Sequence, residues 1–448
     1  MSFIDEDQLH YNKPFMNKFK ISVIALLGVF TACNTDESIE PVETGKEEQE
    51  ETVDSLWLQE EDIYNAPFKN QKKIALDENQ QAISEKVNDF SWELFSKSFE
   101  KKKERNLLLS PLSLTQNLMM TCNGLRGKSL EEIKLAFGVS EFEMAELNQY
   151  VLQLNKGMAE ADSRSKYRTD NSVWYRNDLT MQTDFIEKVN HWYRAEVFPA
   201  AMTEETLDSI NDWAYLKTYG RIKDFLPYLA PNTQAVLVNT VYFRGQWYNK
   251  LTEKNLRDGI FRNEKGEEET AKMVMYHEMA KYVENTKYQA TFRSFGNMAY
   301  VMDFILPKED ATPADALAQY MQDTDRNRYY RHVVLDFPRF NSGSKMDLND
   351  LLRSMGITNV FRPESPSDIV MFDEPSSLGT IIQQTSITVN EKGAEAAVAT
   401  ANRWYWDSGE ETTPPDTVYM KLERPFFYTI RETSTNTPLF IGYQGSVK

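Results

Sequence analysis

A run of small residues near the C-terminus constrains the fold of this chain more than any other stretch. Residues 394–401 read AEAAVATA directly after Gly393. Side chains of a strand alternate between its two faces. One face would carry only small or neutral side chains: Ala394, Ala396, Val398, Thr400 and Asn402. The other face would carry both charges, Glu395 and Arg403. The pattern predicts a half-buried strand that is held weakly until it pairs with a sheet. The alternative is a short exposed helix, because alanine is the best helix former.

The composition excludes several classes of protein. The 448 residues carry a formal net charge of −18, which argues against nucleic-acid binding because phosphates require a basic surface. The two cysteines, Cys33 and Cys122, exclude a disulfide framework. The four histidines are scattered without the spacing of metal ligands, at positions 10, 191, 277 and 332. We therefore expect no metal and no cofactor.

The N-terminus reads as a targeting signal. In residues 16–33, two lysines precede the apolar run Ile21–Phe30, which is short for a membrane span and ends in Thr-Ala-Cys. This order resembles a bacterial lipoprotein signal with Cys33 as the lipidated first residue of the mature chain. A plain secretory signal is the alternative. Met16 would be the natural start, so residues 1–15 would not belong to the native product.

An acidic segment separates this signal from the rest of the chain. Asn34–Asp62 contains twelve acidic residues and one lysine. Such a segment buries too little apolar surface to fold. We interpret residues 34–76 as a disordered tether and residues 77–448 as a single domain. The expected localisation is the cell envelope, on its periplasmic or extracellular face.

Hydrophobic patterns in residues 77–448 mix helices and strands without a regular βαβ repeat. Helices are predicted over 78–102, 112–123, 130–137, 182–198, 209–219 and 346–355. Strands are predicted over 106–109, 172–178, 234–244, 271–275, 280–284, 288–294, 298–306, 332–340, 426–432 and 439–444. The strand over 234–244 contains the mostly apolar run AVLVNTVYF, as expected of a strand buried on both faces. The fold class is α+β, with large antiparallel sheets and helices packed against them.

Motifs of enzymes are absent or incomplete. There is no G-x-S-x-G and no G-x-G-x-x-G. Gly127-Lys128-Ser129 resembles the end of a phosphate loop, but Cys122 stands where the first glycine is needed. His277-Glu278 lacks the second histidine of a zinc protease, since Lys281 occupies its place. We expect a protein that is not an enzyme.

Six segments, in order along the chain, resemble the serpin family of protease inhibitors. They are 106–113 with LSPLS, 210–222 with INDW and TYGRI, 237–247 with LVNTVYFRGQW, 337–361 with FPRF, 389–397 with VNEKGAEAA, and 424–442 with RPFF and LFIG. The resemblance covers residues 77–448. It implies three β-sheets, about nine helices and an exposed reactive-centre loop at about 391–420.

The resemblance also implies a mechanism. A target protease attacks the loop as a substrate, and the cut loop then inserts into the main sheet as a new strand, trapping the acylated protease. The hinge of that movement would be Glu391, Gly393, Ala394, Glu395, Ala396, Ala397, Val398, Ala399 and Thr400. The region where the sheet opens would contain Ser110, Asn239, Gln383 and Trp247. Such a protein is expected to act as a monomer.

The chain departs from the family pattern at three points. Ala394 replaces the usual Thr or Ser, Gln383 replaces a histidine, and the segment between the hinge and Arg424 is about seven residues longer than usual. Gln383 can replace the hydrogen bonds of the histidine, for example to Asn239, but not its titration. Counting fourteen residues from Gly393 places the cut between Asp407 and Ser408.

The sequence leaves open which protease attacks residues 403–408, the bait segment of the loop. Asp407 suits a protease with a basic pocket, whereas a cut after Trp406 or Tyr405 would indicate a chymotrypsin-like target. Arg403 would indicate a trypsin-like target but leaves the loop short. The leading hypothesis is a lipid-anchored inhibitor of serine, or alternatively cysteine, proteases. The other hypothesis is a non-inhibitory serpin that acts as a binding or structural protein.

Overall fold

A computed structural model provides the fold. The structure describes residues 66–323, 329–364, 368–379, 381–394 and 416–448. The described α-helices are α1 (Glu78–Glu100), α2 (Pro111–Cys122), α3 (Gly127–Ala136), α4 (Met144–Glu160), α5 (Thr183–Tyr193), α6 (Glu204–Lys217), α7 (Pro313–Gln322) and α8 (Asn349–Ser354).

The strands alternate irregularly with these helices. They are β1 (Leu107–Leu109), β2 (Ser165–Arg176), β3 (Glu196–Ala200), β4 (Ala235–Gln246), β5 (Leu256–Arg262), β6 (Glu268–Glu284), β7 (Tyr288–Ser294), β8 (Tyr300–Pro307), β9 (Tyr329–Pro338), β10 (Phe340–Asp347), β11 (Ile382–Asn390), β12 (Gly393–Ala394), β13 (Thr417–Lys421), β14 (Phe426–Glu432) and β15 (Pro438–Gln444).

Two hydrogen-bonded sheets organise the described residues. One has six strands in the order β10-β11-β12-β4-β2-β3. The other has nine strands in the order β1-β15-β14-β8-β7-β6-β9-β13, with β5 also paired to β6. The long strand β6 divides the larger sheet, because β5 and β9 pair along most of it whereas β7 pairs only with residues 282–284. The described residues therefore form two hydrogen-bonded sheets rather than the predicted three, because β6 joins its neighbours into one sheet, and they contain eight α-helices where about nine were predicted. The α+β fold is confirmed.

The helices α1 and α2 fill the core beside these sheets. Asp77 caps α1: its side chain accepts from the Gln80 amide at 2.8 Å, and the Gln80 side chain accepts from the Asp77 amide at 3.2 Å. Buried apolar residues recur along α1 at helical spacing, at Ile83, Val87, Phe90 and Leu94. The predicted helix over 78–102 is therefore confirmed within two residues of its end.

Several predicted elements differ from the structure. Segments 271–275 and 280–284 form the single strand β6, and the helix predicted over 182–198 ends at Tyr193 and continues as β3. Arg194 explains that end, because its φ of 50° places it in the left-handed region, where a helix stops. Helices α4 and α7 and strand β5 were not predicted.

Residues 66–76, assigned to the tether from the sequence, lie against the domain in the structure. Ile74 is buried beside Gly157 of α4, and its amide donates to Ser434 Oγ at 3.0 Å. The Phe68 and Tyr248 rings pack edge-on, with their centroids 6.4 Å apart. The predicted boundary at residue 77 therefore falls inside the packed part of the chain.

None of the helices within the described residues is long and apolar enough to cross a membrane.

Candidate functional site: the split in the six-stranded sheet

The six-stranded sheet is split between β4 and β11. Among the described residues these two strands are connected only through the two-residue strand β12. At that end Ala394 pairs with Val389 on one side and with Gly245 on the other. Beyond β12 the facing edges of β4 and β11 have no pairing with each other in the described part of the chain, so the sheet offers two parallel rows of backbone groups to a further strand.

A cavity of about 930 Å³ occupies this split. Residues 235–243 of β4 and 382–388 of β11 form its two edges, and the segment after α6 covers it with Ile222, Phe225 and Tyr228. The cavity corrects one expectation, since β4 was predicted to be buried on both faces. Val236, Leu237 and Val241 are only half-buried, because they line the open split.

Gly393 allows the chain to enter the sheet. Its φ is +150°, and a Cβ at this position would lie 2.0 Å from the carbonyl oxygen of Gly245. Any side chain would therefore collide with the backbone of β4. The next residue, Ala394, is completely buried, and its side chain belongs to the face that the alternation assigns to the sheet interior.

Trp247 holds the turn that precedes this entry. Its indole Nε1–H donates to the carbonyl of Asn390 at 2.8 Å, and its amide donates to the carbonyl of Lys392 at 3.3 Å. The Lys392 amide in turn donates to the Asn390 side chain at 2.8 Å. The tryptophan is 1% exposed, so these hydrogen bonds are shielded from water and fix the position of the turn.

Glu391 is fixed by charge. Arg339, at the junction of β9 and β10, donates from Nε to Glu391 Oε2 at 2.7 Å and lies 2.7 Å from Oε1 through Nη2. This two-point pairing matches the geometry of guanidinium and carboxylate. The Glu391 side chain is buried whereas Arg339 is partly exposed. The pair connects the hinge to the strand that lies on the far side of β11.

Further along the split, Gln383 joins β11 to the N-terminus of α2. Its side chain accepts from the Ser110 amide at 3.1 Å and donates to the Ser110 carbonyl at 2.8 Å. The Ser110 hydroxyl donates to the carbonyl of Leu439 at 2.8 Å. The suggested bond from Gln383 to Asn239 is wrong. The Asn239 side chain donates instead to the neighbouring strand β2, to Asn171 at 2.8 Å and Thr169 at 3.1 Å.

Comparison with known proteins identifies the architecture. The family model "Serpin (serine protease inhibitor)" matches residues 85–444. The chain belongs to the serpin family. Alpha-1-antiproteinase of Rattus norvegicus is 27% identical over 80% of this chain and 88% of its own length. Antithrombin-III of Homo sapiens is 29% identical over 85% of this chain and 87% of its own length. The crystal structure of the thermophilic serpin tengpin in its native state superposes with a TM-score of 0.74, at 27% identity, over 86% of this chain and 98% of tengpin.

Much of the predicted loop of this serpin lies outside the described residues. This applies to the hinge residues Glu395, Ala396, Ala397, Val398, Ala399 and Thr400, to the bait residues Tyr405, Trp406, Asp407 and Ser408, and to Cys33. The structure brings Glu391, Gly393, Ala394 and Trp247 together at the end of the split and places Ser110 and Gln383 along it. The chain resumes at β13, which pairs in parallel with β9.

Sequence reasoning missed two arginines at this site, Arg339 and Arg293. Arg339 stands in the quoted FPRF segment without an assigned role, and its partner is 52 residues away along the chain. Arg293 ends β7 and contacts Trp247. No spacing rule connects such distant residues, so only the fold could reveal them.

Members of the serpin family are mostly protease inhibitors. No three His, Cys, Asp or Glu side chains are grouped for a metal ion within the described ranges. Burial raises the pKa of the Cys122 thiol to about 12, so this cysteine is a filler of the core rather than a nucleophile.

Proposed function

We propose that this serpin inhibits serine proteases as a suicide substrate. The protease cuts the loop and is acylated, and the freed hinge enters the split between β4 and β11 as a new strand. The bound protease is carried along and its active site is distorted. Inhibition thus depends on insertion being faster than hydrolysis of the acyl bond.

The open split, with its first residues already occupied by β12, is the observation that carries this proposal. Gly393 and Ala394 are paired on both sides, and the split beyond them has about 930 Å³ of space. The small residues that follow in the sequence, 396–401, suit entry between two strands whose interior face is packed. A non-inhibitory serpin would have no need for such a run.

We propose Asp407–Ser408 as the bond that is cut, with Trp406 and Tyr405 as alternatives. An aspartate before the cut selects a protease whose specificity pocket carries a positive charge, since a buried carboxylate needs a partner. The aromatic alternatives select a chymotrypsin-like protease, and cysteine proteases are a further target class.

We propose further that the protein is a lipid-anchored monomer of a bacterial cell envelope. The support is the order of charge, apolar run and Cys33 in residues 16–33, followed by the acidic segment from Asn34. A lipid on Cys33 would hold the inhibitor at a membrane surface, where it would protect the envelope from proteases. Labelling with a radioactive fatty acid in a bacterial host should mark the wild type and not Cys33→Ser.

A panel of proteases tests the inhibitory function. Chymotrypsin, trypsin, a glutamyl endopeptidase that also cuts after aspartate, and papain are each mixed with the protein. The mixtures are separated by denaturing electrophoresis, and mass spectrometry locates the cut. We expect a complex that resists denaturant with at least one member, and a new N-terminus at Ser408. Cleavage by every member without any stable complex would instead support the non-inhibitory hypothesis.

The variant Gly393→Val provides the matched control. Its loop keeps the same bait, so a protease should still cut it. Entry into the split is blocked, because the new Cβ would lie 2.0 Å from a backbone oxygen of β4. This variant should therefore behave as a substrate and form no stable complex.

A further inference from the structure

A column of four stacked side chains lies behind the hinge. The Phe295 and Trp247 rings stack with centroids 4.4 Å apart and planes 10° from parallel. The guanidinium of Arg293 lies 4.4 Å from the Trp247 ring and 3.4 Å from the Tyr276 ring. The column thus connects the end of β4 with β7 and β6, and the tryptophan within it is the residue that binds the hinge turn.

Arg293 occupies this column as an almost unpaired cation. It is 1% exposed. Its Nη2 donates to the carbonyl of Asn249 at 3.3 Å, while Nε and Nη1 have no hydrogen-bond partner. Burying a cation with free donors costs free energy, and a methionine or leucine would fill the space without that cost. Core packing alone does not explain an arginine here.

The nearest opposite charge is held elsewhere. Glu278 accepts from Asn249 Nδ2 at 2.8 Å and from the Tyr276 hydroxyl, and burial raises its pKa. Burial likewise lowers the pKa of Arg293 to about 9, although the charge of Glu278 opposes this. The strongest close contacts of the guanidinium are therefore the two aromatic faces, where a planar cation is attracted by the π electrons.

We propose that Arg293 is a positioning residue of the hinge. The guanidinium and the Phe295 ring stack on the two faces of the Trp247 ring and fix the plane of its indole. Because the Nε1–H bond lies in the indole plane, this stacking directs the Nε1–H bond toward the carbonyl of Asn390. The turn of Asn390–Lys392 is then held where Gly393 and Ala394 pair with both neighbouring strands. The hinge is thus kept in register as the first pairs of the inserting strand.

Insertion should then be faster, because starting a strand pairing is harder than extending it. Without this stacking, the first backbone pairs of the inserting strand must form after cleavage, while hydrolysis of the acyl bond competes. This consequence for inhibition rests on the function proposed above, whereas the position of the hinge does not.

Hydrogen exchange with mass spectrometry tests the position of the hinge without any protease. The variants are Arg293→Met, which keeps the length but not the charge, and Arg293→Lys, which keeps the charge but not the plane. We expect the amides of residues 390–394 to exchange roughly tenfold faster in both variants, with those of β14 and β15 unchanged. Unchanged protection of the hinge in Arg293→Met would overturn the proposal. Full protection in Arg293→Lys would overturn the role of the planar stack.

The control is another arginine in an ion pair, Arg431, which is 13% exposed and whose Nε lies 2.7 Å from the fully buried Asp303. Arg431→Met should lower the overall stability and leave the relative protection of the hinge unchanged. A loss of protection throughout the molecule in Arg293→Met would make Arg293 a residue of general stability and would also overturn the proposal. If Arg293→Met does not fold, Trp247→Phe, which keeps a ring but loses the Nε1–H donor, should expose the same five amides, and intact protection there would overturn it.

The panel protease that forms a complex gives the second readout. The number of serpin molecules consumed for each protease inhibited should rise several-fold in Arg293→Met and not in Arg431→Met. If no protease is inhibited by the wild type, the proposed function fails while the exchange result still decides the role of Arg293.

Discussion

The two sheets of this serpin are built from similar strands but are completed to different extents. In the nine-stranded sheet, β14 is paired on both sides, with β8 and with β15, and all its residues except one are buried. In the six-stranded sheet, the strands β4 and β11 share a neighbour among the described residues only over the two residues of β12. The backbone of β14 is thus paired on both sides, whereas β4 and β11 leave room for one more strand within the described part of the sheet.

This difference in strand pairing indicates where the molecule can store free energy. A completed sheet has no further pairing to gain, so substitutions there change the stability of every state alike. Under the proposed mechanism, the split sheet would gain a row of backbone hydrogen bonds when a strand arrives, and the native state would be kinetically trapped. Three polar contacts of the described residues lie along the split: Trp247 on the hinge turn, Glu391 with Arg339, and Gln383 with Ser110.

Cleavage of the loop should produce the largest change. If the freed segment fills the split, about ten new backbone hydrogen bonds at about 1 kcal/mol each add about 10 kcal/mol. For a folded part of about 370 residues, with an unfolding entropy of about 2.1 cal/mol/K per residue, that corresponds to a rise in Tm of about 13 °C. Scanning calorimetry before and after cutting measures it. An unchanged Tm after cutting would show that the split takes up no strand. The Gly393→Val variant should show no rise in Tm after it is cut.

Phe427→Ala should lower stability equally in the intact and the cut form. Phe427 of β14 is fully buried and packs against Phe95, Phe99 and Tyr443. Its truncation should cost about 3–5 kcal/mol, measured by urea unfolding of both forms. Val241→Ala, on the half-buried edge of the split, should cost less than about 1.5 kcal/mol in the intact form. A larger cost for Val241 than for Phe427 would show that the split is already filled.

The sequence predicted the completed regions best, because their patterns are local. The strand over 426–432 matches β14 at both ends, and α1 follows from its apolar spacing and its Asp77 cap. The order of segments predicted the family and with it the fold. Strand β6 was predicted as two separate strands. Its exposed side chains stand at even positions up to Lys272 and at odd positions from His277 to Lys281. Val274 and Met275 interrupt the alternation between these two parts.

The split itself was harder to predict from the residues. In β11 the buried positions near the split carry Gln383 and Thr385, which hydrogen-bond the backbone of Ser110 and Leu108. Polar residues in the interior hide the alternation that marks a strand, so β11 is missing from the predicted strands. The partners of the hinge, Arg339 and Arg293, are distant in sequence, and their contacts depend on the complete fold.

Gln383→Ala should open the split at its centre. The substitution leaves the amide and the carbonyl of Ser110 without their partner, at a cost of about 1–3 kcal/mol. Because that cost falls on the contact between β11 and α2, the intact form should lose stability and convert faster to an inserted form on warming. Native electrophoresis and the unfolding midpoint measure both effects.

The neighbouring Gln384→Ala is the control for this position. The Gln384 side chain donates to the carbonyl of Lys223 at the surface, at 3.0 Å. Loss of an exposed contact of this kind should change stability by less than about 0.5 kcal/mol. Equal effects at 383 and 384 would mean that the Ser110 contact does not hold the split.

Apart from the Gln384→Ala control, Glu391→Gln should have the smallest effect. Arg339 is 39% exposed, and water screens the pair, so its loss should cost less than about 1 kcal/mol. The expected result is a slightly faster hydrogen exchange of residues 390–394 at low salt, and no difference from the wild type at high salt. The neutral glutamine keeps the shape of the side chain, which isolates the charge.

A double-mutant cycle with Arg339→Gln separates the charge pair from the rest of the hinge. If the coupling is small, the hinge turn is held mainly by the two hydrogen bonds from the buried Trp247 to Asn390 and Lys392. If the coupling exceeds about 2 kcal/mol, the pair behaves as a desolvated one in spite of the exposed arginine. In that case the split is secured by charge across β11, and Glu391 rather than Trp247 is the main anchor of the hinge turn.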